Sequence, residues 1–222
     1  MAEVIPAIIV KNFTQLEEKV SLVKEYVNVV QVDIADGVFV HNTTWPYVGD
    51  QGELAALVSE ERGLPFWEEV DYEFHLMIEK PEEHIEEWIK AGASRIIVQY
   101  EAVKDIHAII DQCRAVQVEV GVAIKPSTNI SVLEPFIHQI DCIQCMGSDE
   151  LGRHGAPLDL SVLEKIKTLR EKYPEMNIAI DIGVHENTVR ELMDAGVGTL
   201  VAGSAIFDAE NTAEVIANFQ NM

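Results

Sequence analysis

Basic residues are scarce in this chain: 16 Lys and Arg stand against 38 Asp and Glu among 222 residues, a formal charge of -22. Such a chain is repelled by nucleic acid and by an anionic membrane surface, which excludes both as partners. An anionic ligand would need helix N-termini, a cation or a few well-placed basic side chains. Cysteine is also rare. Cys113, Cys142 and Cys145 are too few and odd in number for a disulfide framework, which points to a reducing compartment. Cys142-x-x-Cys145 has the spacing of half a zinc site, but it falls in an apparent strand, where residues three apart face opposite sides. No apolar run approaches the length of a membrane span, and Met1-Ala2-Glu3-Val4 has no basic leader region, so a soluble cytoplasmic protein is expected. No Pro/Ser-rich linker divides the sequence, and residues 1–222 read as a single domain.

What is present is a core-forming composition, 48% hydrophobic, arranged in alternating patterns. The run Val29-Val30-Gln31-Val32-Asp33-Ile34-Ala35-Asp36-Gly37 has the two-residue period of a strand. Val30, Val32 and Ile34 share one face, and Gln31, Asp33 and Ala35 the other. A carboxylate in a buried strand costs several kcal/mol unless it is paired, metal-bound or facing a wet cavity. Asp33 is therefore a candidate site residue.

The remaining chain repeats strand then helix. Val4 to Val10 reads as a strand, and Thr14-Gln15-Leu16-Glu17 has the capping-box spacing that opens a helix. After the Asp33 strand come a helix near Gly52 to Ser59 and a strand at Tyr72 to Ile78. Pro81 suits a helix start and Gly92 a stop. Strands follow at Arg95 to Glu101, Val116 to Lys125, Asp141 to Met146, Asn177 to Gly183 and Thr199 to Gly203. Helices are expected at Val103 to Cys113, Ile130 to His138, Leu160 to Tyr173, Glu186 to Ala195 and Thr212 to Phe219. Eight such units predict a parallel sheet closed into a (β/α)8 TIM barrel, with an open doubly wound sheet as the alternative.

In such a barrel the inward-facing residues near the strand C-terminal ends form the site. Asp33, His75 and Asp181 all belong to that set, as do Gln31, Gln99, Lys125 and Met146. Two carboxylates facing each other suit a two-base proton transfer at carbon, one removing a proton and the other delivering one to the opposite face. His75 suits a ligand, a base or a hydrogen-bonded core residue. Gly183 after the seventh strand and Gly203-Ser204 after the eighth stand where barrel enzymes hold phosphate on backbone N–H groups. Arg153, in Gly152-Arg153-His154-Gly155, could offset the acidic field locally, or belong to an ordinary exposed loop. His84, His107 and His138 read as surface residues of helices.

Several segments in order resemble the ribulose-phosphate 3-epimerase family. Val32-Asp33-Ile34-Ala35-Asp36-Gly37-Val38-Phe39-Val40 with Asn42 is similar to that family's VDVMDG-x-FVPN. Phe74-His75-Leu76-Met77 with Pro81 resembles HLM-x-x-x-P, Ala91-Gly92-Ala93 its AGA, and Gly203-Ser204-Ala205-Ile206-Phe207 its GSAIF. The resemblance implies a ribulose-phosphate-binding barrel in which Asp33 and Asp181 epimerise C3 of a ketopentose 5-phosphate through an enediolate. It also implies a divalent metal ion of the zinc, iron, manganese, cobalt or magnesium type, held by two His and two Asp, and a homo-oligomer. Asp33, His75 and Asp181 match three ligand positions, whereas Gln31 stands where the family has its first ligand His. A glutamine oxygen is a weaker ligand than imidazole for zinc-like ions, so affinity should fall and preference shift toward harder cations. Ala7, Ala35 and Gln99 replace the family's Ser, Met and His, and its PGFGGQ phosphate loop is only echoed by Gly152-Arg153-His154-Gly155-Ala156. Lys125 could supply positive charge to a weakened metal site, or simply snorkel to the rim. The alternatives are a non-catalytic sugar-phosphate binder and a related enediolate-forming aldolase or decarboxylase.

Overall fold

Strand alternation sorts the side chains of this chain into two cores. In the computed structural model, which describes residues 2–50, 52–152 and 155–222, Val30, Val32 and Ile34 are fully buried in the outer core. Each contributes about 1.5–3 kcal/mol by leaving water. Their neighbours Gln31, Asp33 and Ala35 are buried inside the barrel instead.

Eight parallel strands close in chain order, β8 pairing with β1. They are β1 (Glu3–Ile8), β2 (Val29–Ala35), β3 (Asp71–Met77), β4 (Arg95–Gln99), β5 (Glu119–Ile124), β6 (Cys142–Met146), β7 (Asn177–Asp181) and β8 (Thr199–Ala202). The helices are α1 (Phe13–Val23), α2 (Gly52–Val58), α3 (Ile85–Lys90), α4 (Ile106–Arg114), α5 (Ser161–Lys172), α6 (Val189–Ala195), α7 (Ser204–Phe207) and α8 (Thr212–Gln220). The register sets Asp33 beside His75 and Met146 beside Asp181. The closed barrel rules out the open-sheet alternative.

Two local expectations change. The first helix starts earlier than the Thr14 capping box implies: Asn12 is the cap, its side chain accepting from the Gln15 N–H at 2.9 Å. Gln15 Oε1 in turn accepts from the Lys11 N–H. The stretch Ile130 to His138 is not one helix but two 3-10 turns, Ile130–Leu133 and Ile137–Gln139. Pro135 lies between them, and a proline there removes a helical donor and clashes with the preceding turn. β5 is thus followed by turns, while β8 is followed by both α7 and α8. The Cys142-x-x-Cys145 pair divides as strand geometry requires. Cys145 lies in the outer core, and Cys142 lies against Gly121 on the inner side. Among the described residues no helix is long and apolar enough to cross a membrane.

Candidate active site at the barrel mouth

Asp33 is positioned by the end of its own strand. Thr44 Oγ1 donates to the Asp33 carbonyl and accepts from the Ala35 N–H, both at 2.8 Å, which pins the last turns of β2. Asp36, the second acid of the segment, is structural. It accepts from the N–H groups of Val38, Phe39 and Glu79 and ties the loops after β2 and β3 together. Gln31, one inward step below Asp33, donates Nε2 to Asp33 Oδ1 at 2.8 Å. Its Oε1 is buried without a hydrogen-bond partner, an arrangement that costs about 1–3 kcal/mol.

His75 on β3 is fully buried. Its Nδ1 lies 3.5 Å from Asp33 Oδ1 and 3.9 Å from Asp181 Oδ2. Its Nε2 lies 3.2 Å from Gln99 Oε1. Burial alone would lower the His75 pKa, but Asp33, Asp181 and Gln99 together raise it above the ordinary value. Gln144 on β6, also fully buried, places Nε2 3.4 Å from His75 Nδ1 and 3.5 Å from Asp181 Oδ2. Sequence reading overlooked Gln144, although it shares the inward parity that singled out Met146 on the same strand.

Asp181 ends β7. Its Oδ1 accepts from the Ile182 N–H at 2.8 Å, and its carbonyl accepts from the Gly147 N–H. Gly147 permits that approach because a Cβ there would lie 2.1 Å from the Ile182 carbonyl oxygen. Ile182 is held at φ +75°, a conformation a β-branched residue adopts only when its surroundings impose it. Burial, and then the negative charge of Asp33, push the Asp181 pKa up to about 7, against the opposing pull of His75 and the Ile182 N–H.

These acids open onto a cavity of about 220 Å³ at the C-terminal ends of the strands. Gly155, Gly183, Gly203 and Ser204 line it, together with Ala7, Met77, Met146 and His185. The first N–H groups of α7 have no intrahelical partner and lie at this lining. Lys125 does not line the cavity. It follows the last residue of β5, and its Nζ sits 5.5 Å from the centre of the Phe39 ring. Arg153 and His154 lie outside the described residues. Of the helical histidines, His107 and His138 are exposed and His84 is half-buried.

Asp33, His75 and Asp181 could hold a metal ion, since one ligand atom from each lies within 4.8 Å of the others. The donors, two carboxylates and an imidazole, suit a divalent cation with open coordination positions. The unpartnered Gln31 oxygen supports that fit, because it is a buried acceptor next to the carboxylate it would join.

Comparison with known proteins points the same way. The profile described as the ribulose-phosphate 3 epimerase family matches residues 3–207. "Ribulose-phosphate 3-epimerase" of Schizosaccharomyces pombe is 33% identical over 99% of this chain and 93% of its own length. The protein of that name from Synechocystis is 34% identical over 98% and 93%. That from Bacillus subtilis is 30% identical over 99% of each. Among solved structures, 3-hexulose-6-phosphate synthase from Salmonella typhimurium superimposes with a TM-score of 0.71 at 14% identity, over 99% of this chain and 97% of its own. 3-Keto-L-gulonate-6-phosphate decarboxylase from Vibrio cholerae gives 0.71 at 16%, over 99% and 95%. At those identities the likeness is one of fold alone.

Proposed function

We propose that this chain, which belongs to the ribulose-phosphate 3-epimerase family, inverts C3 of a ketose phosphate of the ribulose 5-phosphate/xylulose 5-phosphate type. The observation that carries the reading is the pair of carboxylates, Asp33 and Asp181, opening on one cavity from strands separated by β1 and β8. C3 lies beside the ketone, so removing its proton yields an enediolate, and a proton returned to the other face inverts the centre.

Each acid has a role in that scheme. In one direction Asp33 accepts the C3 proton while Asp181, whose pKa is raised by burial and by the charge of Asp33, donates to the opposite face. The reverse reaction exchanges the roles. Gln31 holds the Asp33 carboxylate from below, and the Ile182 N–H holds that of Asp181. Met77 and Met146, both buried among the cavity's lining residues, exclude water from the reacting carbons. Backbone at Gly183, Gly203 and Ser204, with Gly155 of the same cavity lining, would receive the phosphate. That placement fits a chain so acidic because it uses N–H groups rather than cationic side chains. A divalent cation held by Asp33, His75 and Asp181, with Gln31 beside them, would stabilise the negative charge of the enediolate.

The test is isotope exchange. Ketopentose phosphates incubated with the protein in D2O, with zinc, manganese, cobalt, iron or magnesium added in turn, are expected to gain deuterium at C3 and to interconvert with their epimers. Absence of exchange with every ion would leave a sugar-phosphate binder. Release of carbon dioxide or a carbon fragment would instead mark a decarboxylase or aldolase.

A further inference from the structure

His75 is surrounded by two amides, and each amide is oriented by a carboxylate. Gln99 lies on the Nε2 side, presenting Oε1 at 3.2 Å. Gln144 lies on the Nδ1 side, presenting Nε2 at 3.4 Å. An amide's two ends differ only in donating or accepting, so whatever its far end touches decides which end meets the imidazole.

For Gln99 that partner is Glu101. Gln99 Nε2 donates to Glu101 Oε2. The other carboxylate oxygen, Oε1, accepts from the Lys125 N–H at 3.0 Å and from the Thr128 hydroxyl. A backbone N–H can only donate, so Glu101 is anchored as an acceptor. Turning the Gln99 amide over would set its oxygen against a carboxylate oxygen. The Lys125 to Thr128 segment is itself fixed from outside, because Lys165 Nζ donates to the carbonyls of Lys125, Pro126 and Thr128. For Gln144 the orienting group is Asp181 Oδ2, which accepts from Nε2 at 3.5 Å.

We infer that Glu101, acting through Gln99 and seconded by Gln144, holds neutral His75 in the Nε2–H tautomer, so that the Nδ1 lone pair faces Asp33 and Asp181. The opposite tautomer would place Nδ1–H near Asp33 Oδ1, a reasonable contact at 3.5 Å. It would, however, set Nδ1–H against the Gln144 donor and leave Gln99 Oε1 facing a bare nitrogen lone pair. The Nε2–H form keeps both amide contacts and sets the Nδ1 lone pair 3.5 Å from Asp33 Oδ1 and 3.9 Å from Asp181 Oδ2, a buried cluster of acceptors that a cation would satisfy. Only the Nε2–H form leaves an imidazole lone pair in the three-residue cluster that could hold a cation. Glu101 is thus a positioning residue. It lies on the short turn Tyr100–Ala102 beyond β4 and is absent from the cavity lining. The tautomer assignment stands without the epimerase reading; its consequence for cation binding rests on that reading.

The experiment reads the ring directly. In protein labelled with nitrogen-15 at histidine, spectra taken at a pH high enough to neutralise His75, whose pKa the neighbouring carboxylates raise, are expected to show the proton on Nε2 in the wild type. In Glu101→Gln the Lys125 N–H holds the new amide's oxygen, so its NH2 faces Gln99; Gln99 turns to present Nε2 to the ring, and the Nδ1–H tautomer is expected to gain population. Gln99→Met removes the acceptor altogether, and there a mixture of tautomers is expected. Zinc binding measured by calorimetry on the same samples is expected to weaken about tenfold or more in Glu101→Gln, the usual effect of removing a partner of a ligating histidine. A wild-type proton on Nδ1 would overturn the inference, and so would an unchanged Nε2–H tautomer in both variants. If the tautomers behave as stated while wild-type protein fails to exchange deuterium at C3, the epimerase reading falls and this one stands.

Discussion

Gln31 Nε2 donates to Asp33 Oδ1 at 2.8 Å while Gln31 Oε1, fully buried, has no partner. The glutamine therefore steadies the carboxylate of the proposed base yet keeps an acceptor in reserve beside the group that could hold a cation. Replacing Gln31 by His exchanges a neutral amide oxygen for an imidazole, the better ligand for zinc-like ions. Gln31→His is expected to tighten zinc binding at least tenfold, with a smaller effect on magnesium, in paired calorimetric titrations. Equal affinities in variant and wild type would place Gln31 outside the ligand set.

Removing either acid should stop proton transfer without emptying the cavity. Asp33→Asn and Asp181→Asn keep the volume of the side chain and delete its ability to take or give a proton at working pH. Each is expected to lower turnover by about 10²–10⁴-fold, the usual range for a lost general acid or base. Steady-state rates and C3 exchange in D2O check this together. Residual activity near the wild-type rate in either variant would exclude that residue from the chemistry.

Gly183 has φ +80°, and a Cβ there would meet Leu158 Cβ at 2.7 Å and Leu158 Cα at 3.1 Å. A side chain in that conformation costs about 1–2 kcal/mol before any clash. Gly183→Ala should displace the backbone that lines the proposed phosphate end and leave the acids in place. The expected result is a tenfold or larger rise in KM for the sugar phosphate with a lesser change in kcat. A variant that loses kcat and keeps KM would put Gly183 at the reacting carbons instead.

Below the site, buried Glu73 bonds to Arg95 at 2.7 Å, and Arg95 also pairs with Glu119. Burial nevertheless outweighs the guanidinium and pushes the Glu73 pKa up to about 7 from an ordinary 4.5. The folded state therefore binds this proton more tightly than the unfolded chain does. The stability associated with it is complete below about pH 4.5 and is lost as the pH rises toward 7, on the order of 3 kcal/mol in all. Urea unfolding at pH 5 and pH 8 should show a steeper loss in the wild type than in Glu73→Gln. Parallel losses would mean that other groups carry the pH dependence.

The strand faces and the three acidic or imidazole groups of the site were readable from the chain. Val30, Val32 and Ile34 bracket Gln31 and Asp33, and the isoleucines on either side of Asp181 bracket it in the same way. Alternation could have found Gln144 as well, since it stands two residues before Met146. Glu101 shares the inward parity of Gln99, two residues earlier, but the strand ends at Gln99, and the role of Glu101 comes from anchors, Lys125 and Thr128, that lie in another loop and that no alternation reveals. Lys125 shows the limit of parity. Its position in the alternation points inward, but the strand has ended, and the chain there is held by Lys165 from the helical side.

The amino-acid sequence by itself determined which side chains face inward, because the two-residue period is a local property of an extended chain and survives any packing. It also determined the acidic character that makes backbone N–H groups the natural receivers of an anion. Only the tertiary structure decided that β7 returns to the neighbourhood of β2, bringing Asp181 within 3.9 Å of the imidazole that also faces Asp33. That distance depends on barrel closure, which no local pattern encodes. The orientation of the amides around His75 was decided there too. An amide is symmetric in shape, and its direction comes from partners supplied by distant parts of the fold.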